Sequence, residues 1–185
     1  MIFNQHFELE GRHAPFSPSQ PAWLRYDDEK LIISYKNKQA AIIGTELHAW
    51  AEQTINLGIK QPRSKKTLYS YVNDAIGFNM STEVKLKYSE RFFGTADAVC
   101  FRNNFLRIHD LKTGVTPSHM EQLEIYAALF CLEYKHKPKD IGMELRIYQN
   151  DEILCLNPLP EDIEAIMNDI VHKDKVIEAI ELKEV

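Results

Sequence analysis

The chain has 185 residues, 44% of them apolar and 26% charged, with a formal net charge of −5. This is enough chain for one domain with a real core, of a composition ordinary for a soluble globular protein. It is too acidic for a protein that coats nucleic acid without specificity, and no apolar run reaches the length that spans a bilayer.

Met1-Ile2-Phe3-Asn4-Gln5-His6 lacks the basic and apolar regions of a signal peptide, so the expected location is cytoplasmic. Residues 1–18, with Gly11, Pro15 and Pro18, read as an irregular arm on a single domain covering 1–185. Ser19 is placed to cap a short helix running to about Tyr26, with Pro21 in its first turn. The charged patch Asp27-Asp28-Glu29-Lys30 then leads into Leu31–Lys38. From Gln39 the pattern is helical, with Ile43, Leu47, Trp50, Ala51, Thr54 and Ile55 on one stripe and Gly58 ending it. The clearest basic run follows, Lys60, Arg63, Lys65 and Lys66. It reads first as a solvated loop, although a local basic path would suit an enzyme with an acidic metal site.

A second helix is expected from Ser64 to about Asn79, with Leu68, Tyr71, Val72, Ala75 and Ile76 as its apolar face. After Gly77 the period becomes two, and Glu83–Tyr88, Phe92–Phe101 and Phe105–Lys112 read as consecutive antiparallel strands. Ser118, with Glu121 three residues on, opens a helix to about Tyr134 through a capping box. Asp140–Gln149 and Glu152–Leu156 form a strand pair about a turn at Asn150-Asp151. Glu161–Leu182 closes the chain as an amphipathic helix. The class is α/β or α+β. Cys100, Cys131 and Cys155 form no CxxC pair, so neither a zinc ribbon nor a disulfide framework is expected; all three read as small buried hydrophobes.

The informative stretch is Gly94–Gly114, GTADAVCFRNNFLRIHDLKTG. Asn tolerates positive φ, so Asn103-Asn104 suits a two-residue hairpin turn. Counting back from it, Arg102 faces Phe105, Phe101 faces Leu106, Val99 faces Ile108, and Asp97 faces Asp110. By alternation, Phe101, Val99, Leu106 and Ile108 share a face with Asp97, Asp110 and Lys112. Opposed Cβ atoms lie about 5 Å apart. Two charges at that separation repel by roughly 3 kcal/mol at an effective dielectric of about 20. A divalent cation between them reverses that sign; a shared proton or a different register are the alternatives. Lys112 puts a cation beside the pair without capturing either acid. Hard oxygen ligands hold Mg²⁺ or Mn²⁺, which activates water and neutralises phosphate charge. An ammonium can orient that water or stabilise the developing oxyanion.

Asp97…Asp110-Leu111-Lys112 resembles the D…(D/E)xK signature of the PD-(D/E)xK nuclease superfamily, and within it the RecB-like branch of lambda-type and CRISPR-associated exonucleases. Gly44-Thr45-Glu46-Leu47-His48, followed by Glu52, resembles that branch's helical GxxxH motif. Gly94-Thr95-Ala96-Asp97 resembles its GxxD strand, Gln122-Leu123-Glu124-Ile125-Tyr126 its QxxxY helix, and Ser17-Pro18-Ser19 with Trp23-Leu24 its SxS lead-in. The matches keep the family's order over residues 17–130.

The resemblance implies a restriction-endonuclease-like core: a central mixed sheet with an antiparallel meander, flanked by helices. It implies a Mg²⁺- or Mn²⁺-dependent deoxyribonuclease in DNA recombination, repair or phage DNA processing, with DNA as substrate, a recombination or repair protein as a candidate partner, and no membrane. The roles it implies are metal binding by His48, Asp97, Asp110 and the Leu111 carbonyl, and catalysis by Lys112 with Asp110 and Asp97. Gln122 and Tyr126 would bind substrate or support the DxK strand, and Glu52 and Glu83 are candidate supports. Relatives with an iron–sulfur cluster carry a Cys after the SxS segment and three near the C-terminus. Here Arg25-Tyr26 stands at the first place and no Cys triplet closes the chain, so no cluster is expected. An exonuclease is the leading reading. A structure-specific endonuclease with the same site, or a catalytically silent nuclease-like module that binds DNA or protein, are the alternatives. His109-Asp110 falls in a strand, which argues against an HD-type phosphohydrolase.

Overall fold

The computed structural model describes residues 4–11 and 14–182. Part of the expected N-terminal arm, residues 1–3, 12 and 13, lies outside the described residues. The chain divides into two compact units, Met1–Thr45 and Glu46–Val185.

The first unit holds two 3₁₀ turns, Phe7–Leu9 and Pro21–Arg25, and the start of helix α1 (Asp28–Asn56). Ser19 does not cap the second turn. Gln20 flanks it without a side-chain cap bond, and Ser19 instead pairs hydroxyls with Ser17 at 2.8 Å. Trp23 Nε1 donates to the Ser17 carbonyl at 3.1 Å. Helix α1 begins well before Gln39. Asp27 Oδ1 accepts the Lys30 N–H at 2.8 Å, and Asp28 and Glu29 place negative charge in the first turn. The patch that reads as a lead-in is therefore a capped helix start, with acids opposing the positive end of the helix dipole.

The second unit is a five-stranded mixed sheet with helices on both faces. Its strands are β1 (Ser81–Lys87), β2 (Phe93–Arg102), β3 (Phe105–Leu111), β4 (Gly142–Gln149) and β5 (Glu152–Leu156), in that spatial order. Helices α2 (Thr67–Phe78), α3 (Glu121–Tyr134) and α4 (Pro160–Glu181) complete it. β3 and β4 are parallel and the other neighbours antiparallel. A parallel pair needs a long crossover, and α3 lies within it.

The hairpin turn is as expected. Asn103 and Asn104 sit at φ 51° and 56°, and the ladder pairs Arg102 with Phe105, Phe101 with Leu106 and Val99 with Ile108. Asn150 and Asp151, at φ 50° and 62°, make the same kind of turn between β4 and β5. The box at Ser118 does not form. α3 starts at Glu121, its flanking Met120 makes no side-chain cap bond, and the Ser118 N–H donates to Gln149 Oε1 at 3.2 Å. Pro138–Asp140 forms a 3₁₀ turn, so β4 starts later than Asp140.

One core lies between the sheet and α3 and α4, built on Leu106, Ile108, Leu123, Leu145, Ile147 and Ile163. The other lies between the sheet and α2, where Tyr71, Val72 and Ala75 meet Ala98, Leu111 and Tyr148. Ala51, Thr54 and Ile55 are the buried part of the α1 stripe, whereas Ile43 and Trp50 stay exposed. Cys100 and Cys131 are buried as expected, but Cys155 is exposed, because the whole of β5 through Cys155 stands at the solvent-facing edge of the sheet.

A partly buried polar cluster joins α2 to the sheet. Tyr148 Oη donates to Asp74 Oδ2 at 2.7 Å, and Arg146 Nη1 donates to the same oxygen at 3.0 Å. Fully buried His109 meets Tyr148 Oη through Nδ1 at 3.2 Å. The Tyr148 proton goes to Asp74, so the neutral imidazole donates from Nδ1. Burial, then the charges of Arg146 and Arg107, hold its pKa down at about 3.

A histidine kept neutral this way makes the fold acid-sensitive. Its contribution is intact above the unfolded value near 6.5 and is lost as pH falls toward 3. Urea unfolding of wild type should show a stability slope of up to about 1.4 kcal/mol per pH unit from this group. His109→Gln should be flatter over that window, and equal slopes would contradict the assignment.

Candidate active site

The acidic end of the β2–β3 hairpin lies where the two strands part. Their ladder ends at Ala98 and His109, and the same count sets Asp97 against Asp110 one step further. β3 continues beside β4, where the Lys112 N–H donates to the Tyr148 carbonyl at 2.9 Å. On its other edge, the Leu111 N–H donates not to a β2 carbonyl but to the Asp97 carboxylate, Oδ2, at 2.9 Å. A carboxylate thus stands in the place of a ladder acceptor. In an extended strand a residue's C=O points to the same edge as its N–H, so the Leu111 carbonyl is directed toward the Asp97 side.

Strict alternation does not hold here. Ala96 packs with Leu86 and Val99 in the α3–α4 core, yet Ala98 and Cys100 pack in the α2 core. Between Ala96 and Ala98 the facing slips by one, and Asp97 is the residue at the slip. Opposite it, between the pairs Thr82–Ala98 and Val84–Ala96, stands Glu83. Glu83 has φ 50°, a left-handed conformation that a residue with a Cβ adopts only under local strain of about 1–3 kcal/mol. The kinked pair turns both strands together and explains why counting from the turn overextends.

His48 of α1 brings Nδ1 to 3.5 Å from Asp97 Oδ2. The Asp97 carboxyl is pushed up to about 6, first by burial, then by the charge of Asp110; the Leu111 N–H and His48 pull the other way, and Glu83 adds to the rise. Asp110 is buried. Lys112 Nζ lies 3.1 Å from its Oδ1 and 3.0 Å from its Oδ2. The lysine therefore does capture one acid, contrary to the sequence expectation, because residues two apart on a strand point the same way. Only the Oδ1 contact has hydrogen-bond geometry, and Oδ2 is a buried oxygen with no hydrogen-bond partner.

Gln122 and Tyr126 extend the network from α3. Lys112 Nζ donates to Gln122 Oε1 at 2.8 Å. Gln122 Nε2 donates to Tyr126 Oη at 3.4 Å, and Tyr126 Oη donates to the Thr95 carbonyl at 2.7 Å. The role of Gly94 follows from the same contact: a Cβ there would lie 2.8 Å from Tyr126 Cε1. Glu52, partly buried one turn past His48, makes no hydrogen bond or ion pair among the described residues.

Tyr71, which reads from sequence as a stripe residue, packs in the same core as Leu111 and feels the acids of the site. Burial raises its phenol pKa, and Asp97, Asp110 and Glu83 raise it further. A Tyr rather than a Phe at a buried helix position is the one signal the sequence offers for it.

The donors gathered here are an imidazole nitrogen, two carboxylates and a backbone carbonyl. Among the described residues, no three His, Cys, Asp or Glu side chains form a ready metal cage. The fit to a hard divalent cation rests instead on the orphaned Asp110 oxygen and on two repelling acids in an oxygen-rich set. No family model, curated protein or solved structure matches the chain.

Asp97 is more easily protonated folded than unfolded, so its contribution to stability is present at low pH and fades as pH rises through about 6. In EDTA, the melting temperature of wild type relative to Asp97→Asn should fall between about pH 4 and pH 6 and level off above that, and Mn²⁺ should restore wild type alone. A pH-independent difference would contradict this assignment. Gly94→Ala should destabilise by about 1–3 kcal/mol through overpacking, and adding Tyr126→Ala should recover part of that loss in urea unfolding. Additive losses would contradict the contact.

Proposed function

We propose that this protein is a divalent-metal-dependent nuclease that hydrolyses phosphodiester bonds in DNA, with a restriction-endonuclease-like arrangement of its sheet and helices. The observation that carries the reading is the pair Asp97 and Asp110 at the parting of β2 and β3, with Lys112 on the second acid. The likeness of Asp97…Asp110-Leu111-Lys112, His48 and Gln122…Tyr126 to the motifs of the PD-(D/E)xK superfamily's RecB-like branch agrees with it.

Asp97, Asp110, the Leu111 carbonyl and His48 would hold Mg²⁺ or Mn²⁺. The bound cation would supply Lewis-acid charge and an activated water. Lys112 has the other chemical role. Its ammonium is held between Asp110 and Gln122, and a phosphate oxygen arriving beside Asp110 would meet a cation already oriented by two acceptors. Gln122 is in turn tied through Tyr126 to the Thr95 backbone, which makes Gln122 and Tyr126 positioning residues for the lysine.

Purified protein should degrade DNA with Mg²⁺ or Mn²⁺ and stop in EDTA. Asp110→Ala and Lys112→Ala should each lose at least about 100-fold in rate, the scale expected for losing a charged group that acts on the transition state. Tyr126→Phe should lose less. The reading fails if wild type leaves single-stranded, nicked, linear and circular DNA intact with both metals.

A further inference from the structure

The basic run of the sequence, Lys60, Arg63, Lys65 and Lys66, lies in the segment between α1 and α2 and contains no acid between Ile59 and Thr67. All four side chains belong to exposed residues, and among the described residues none is in an ion pair with a carboxylate. Lys66 Nζ instead lies over the Tyr69 ring, 5.4 Å from its centroid. Four like charges this close repel, and a chain with net charge −5 has ample acid with which to pair them.

The segment is also held in place. The Gln61 N–H donates to Asn73 Oδ1 at 2.8 Å, and Asn73 Nδ2 returns a bond to the Gln61 carbonyl at 3.0 Å. Further on, the Lys66 N–H donates to Ser64 Oγ at 3.1 Å. A solvated loop has no need of an amide clamp to a helix. A clamped loop carrying four unpaired cations is organised for a polyanion before that polyanion arrives.

Its position gives the direction. The loop delivers Thr67 and Leu68 to a cavity of about 210 Å³ that they line together with Leu47, Lys112 and Thr113; Asp151 is the acid there. The basic loop therefore leads into the same depression that Lys112 borders.

We propose that residues 60–66 form a phosphate-backbone track: Lys60, Arg63, Lys65 and Lys66 hold a nucleic-acid strand and deliver it to Lys112. This rests on the nuclease reading, and it assigns the substrate path that the acidic site by itself cannot provide. Cations spread along a segment and leading into one cleft fit the regularly spaced charges of a nucleic-acid backbone.

The test compares wild type with a variant carrying Lys60→Ser, Arg63→Ser, Lys65→Ser and Lys66→Ser, and with one carrying Lys60→Arg, Lys65→Arg and Lys66→Arg. Binding of a labelled oligonucleotide is followed by anisotropy in Ca²⁺ across a salt titration, with near-ultraviolet circular dichroism and Mn²⁺ titration calorimetry confirming a folded acidic site. The serine variant should bind at least about 10-fold more weakly, with the slope of log affinity against log salt reduced by about 2–4, close to one for each lost phosphate contact. The arginine variant should bind like wild type. An unchanged affinity, an unchanged salt slope, or a loss seen only with phosphatidylserine vesicles overturns the track. A wild type that binds DNA through these residues but never cuts it sinks the nuclease reading alone.

Discussion

Two carboxylates meeting where paired strands separate set the terms for the rest of this half of the molecule. A sheet interior ordinarily satisfies its polar groups with its own ladder. Here β2 and β3 stop bonding to each other after Ala98 and His109, and the Asp97 side chain takes over as acceptor for Leu111. The substitution holds a negative charge against Asp110 in a mostly buried setting. It leaves Asp97 reluctant to ionise and Asp110 Oδ2 without a hydrogen bond. Such an arrangement is unstable electrostatically unless another charge joins it. Lys112 supplies one, and the proposed divalent cation would supply the other.

Around that pair the fold shows a division of labour. The α3–α4 face is a continuous apolar core, and from it Gln122 reaches the lysine while Tyr126 ties Gln122 to the Thr95 backbone. The α2 face carries a second core and the His109–Tyr148–Asp74–Arg146 cluster, which fixes α2 to β3 and β4. α2 is also the element against which the basic loop is clamped. Rigidity at His109 is thus adjacent in sequence to charge at Asp110: one residue anchors β3 on one face while the next presents its carboxylate. Sites held by packed strands and helices keep their geometry better than sites on loops, and every acid and base of the proposed centre sits on or directly beside such an element.

Much of this was legible in the residues because it depends on local chemistry. The Asn103-Asn104 turn determines the β2–β3 register as far as Ala98 and His109, which brings Asp97 and Asp110 to the point where the strands part. The apolar stripe of α2 and the turn at Asn150-Asp151 follow from spacing and tolerance of positive φ. Most of what was not legible depends on tertiary competition. The start of α1 was hidden because Asp27 to Lys30 look like a solvated patch, although the same acids suit a helix N-terminus. The box at Ser118 lost to the Gln149 side chain, which captures the Ser118 N–H from across the fold. The slip at Asp97 depends on a strained Glu83 in the neighbouring strand, which no count along one hairpin can reveal. Tyr71 and the clamp on residues 60–66 likewise depend on long-range contacts.

The central claim is that Asp97 and Asp110 share a divalent cation. Crystals soaked in Mn²⁺ and measured for anomalous scattering address it without any assay of activity. The account predicts one strong anomalous peak between the two carboxylates, within bonding distance of Asp110 Oδ2 and of the Leu111 carbonyl. A protein soaked to saturation whose only peaks lie elsewhere, with Lys112 still seated on Asp110, would contradict it.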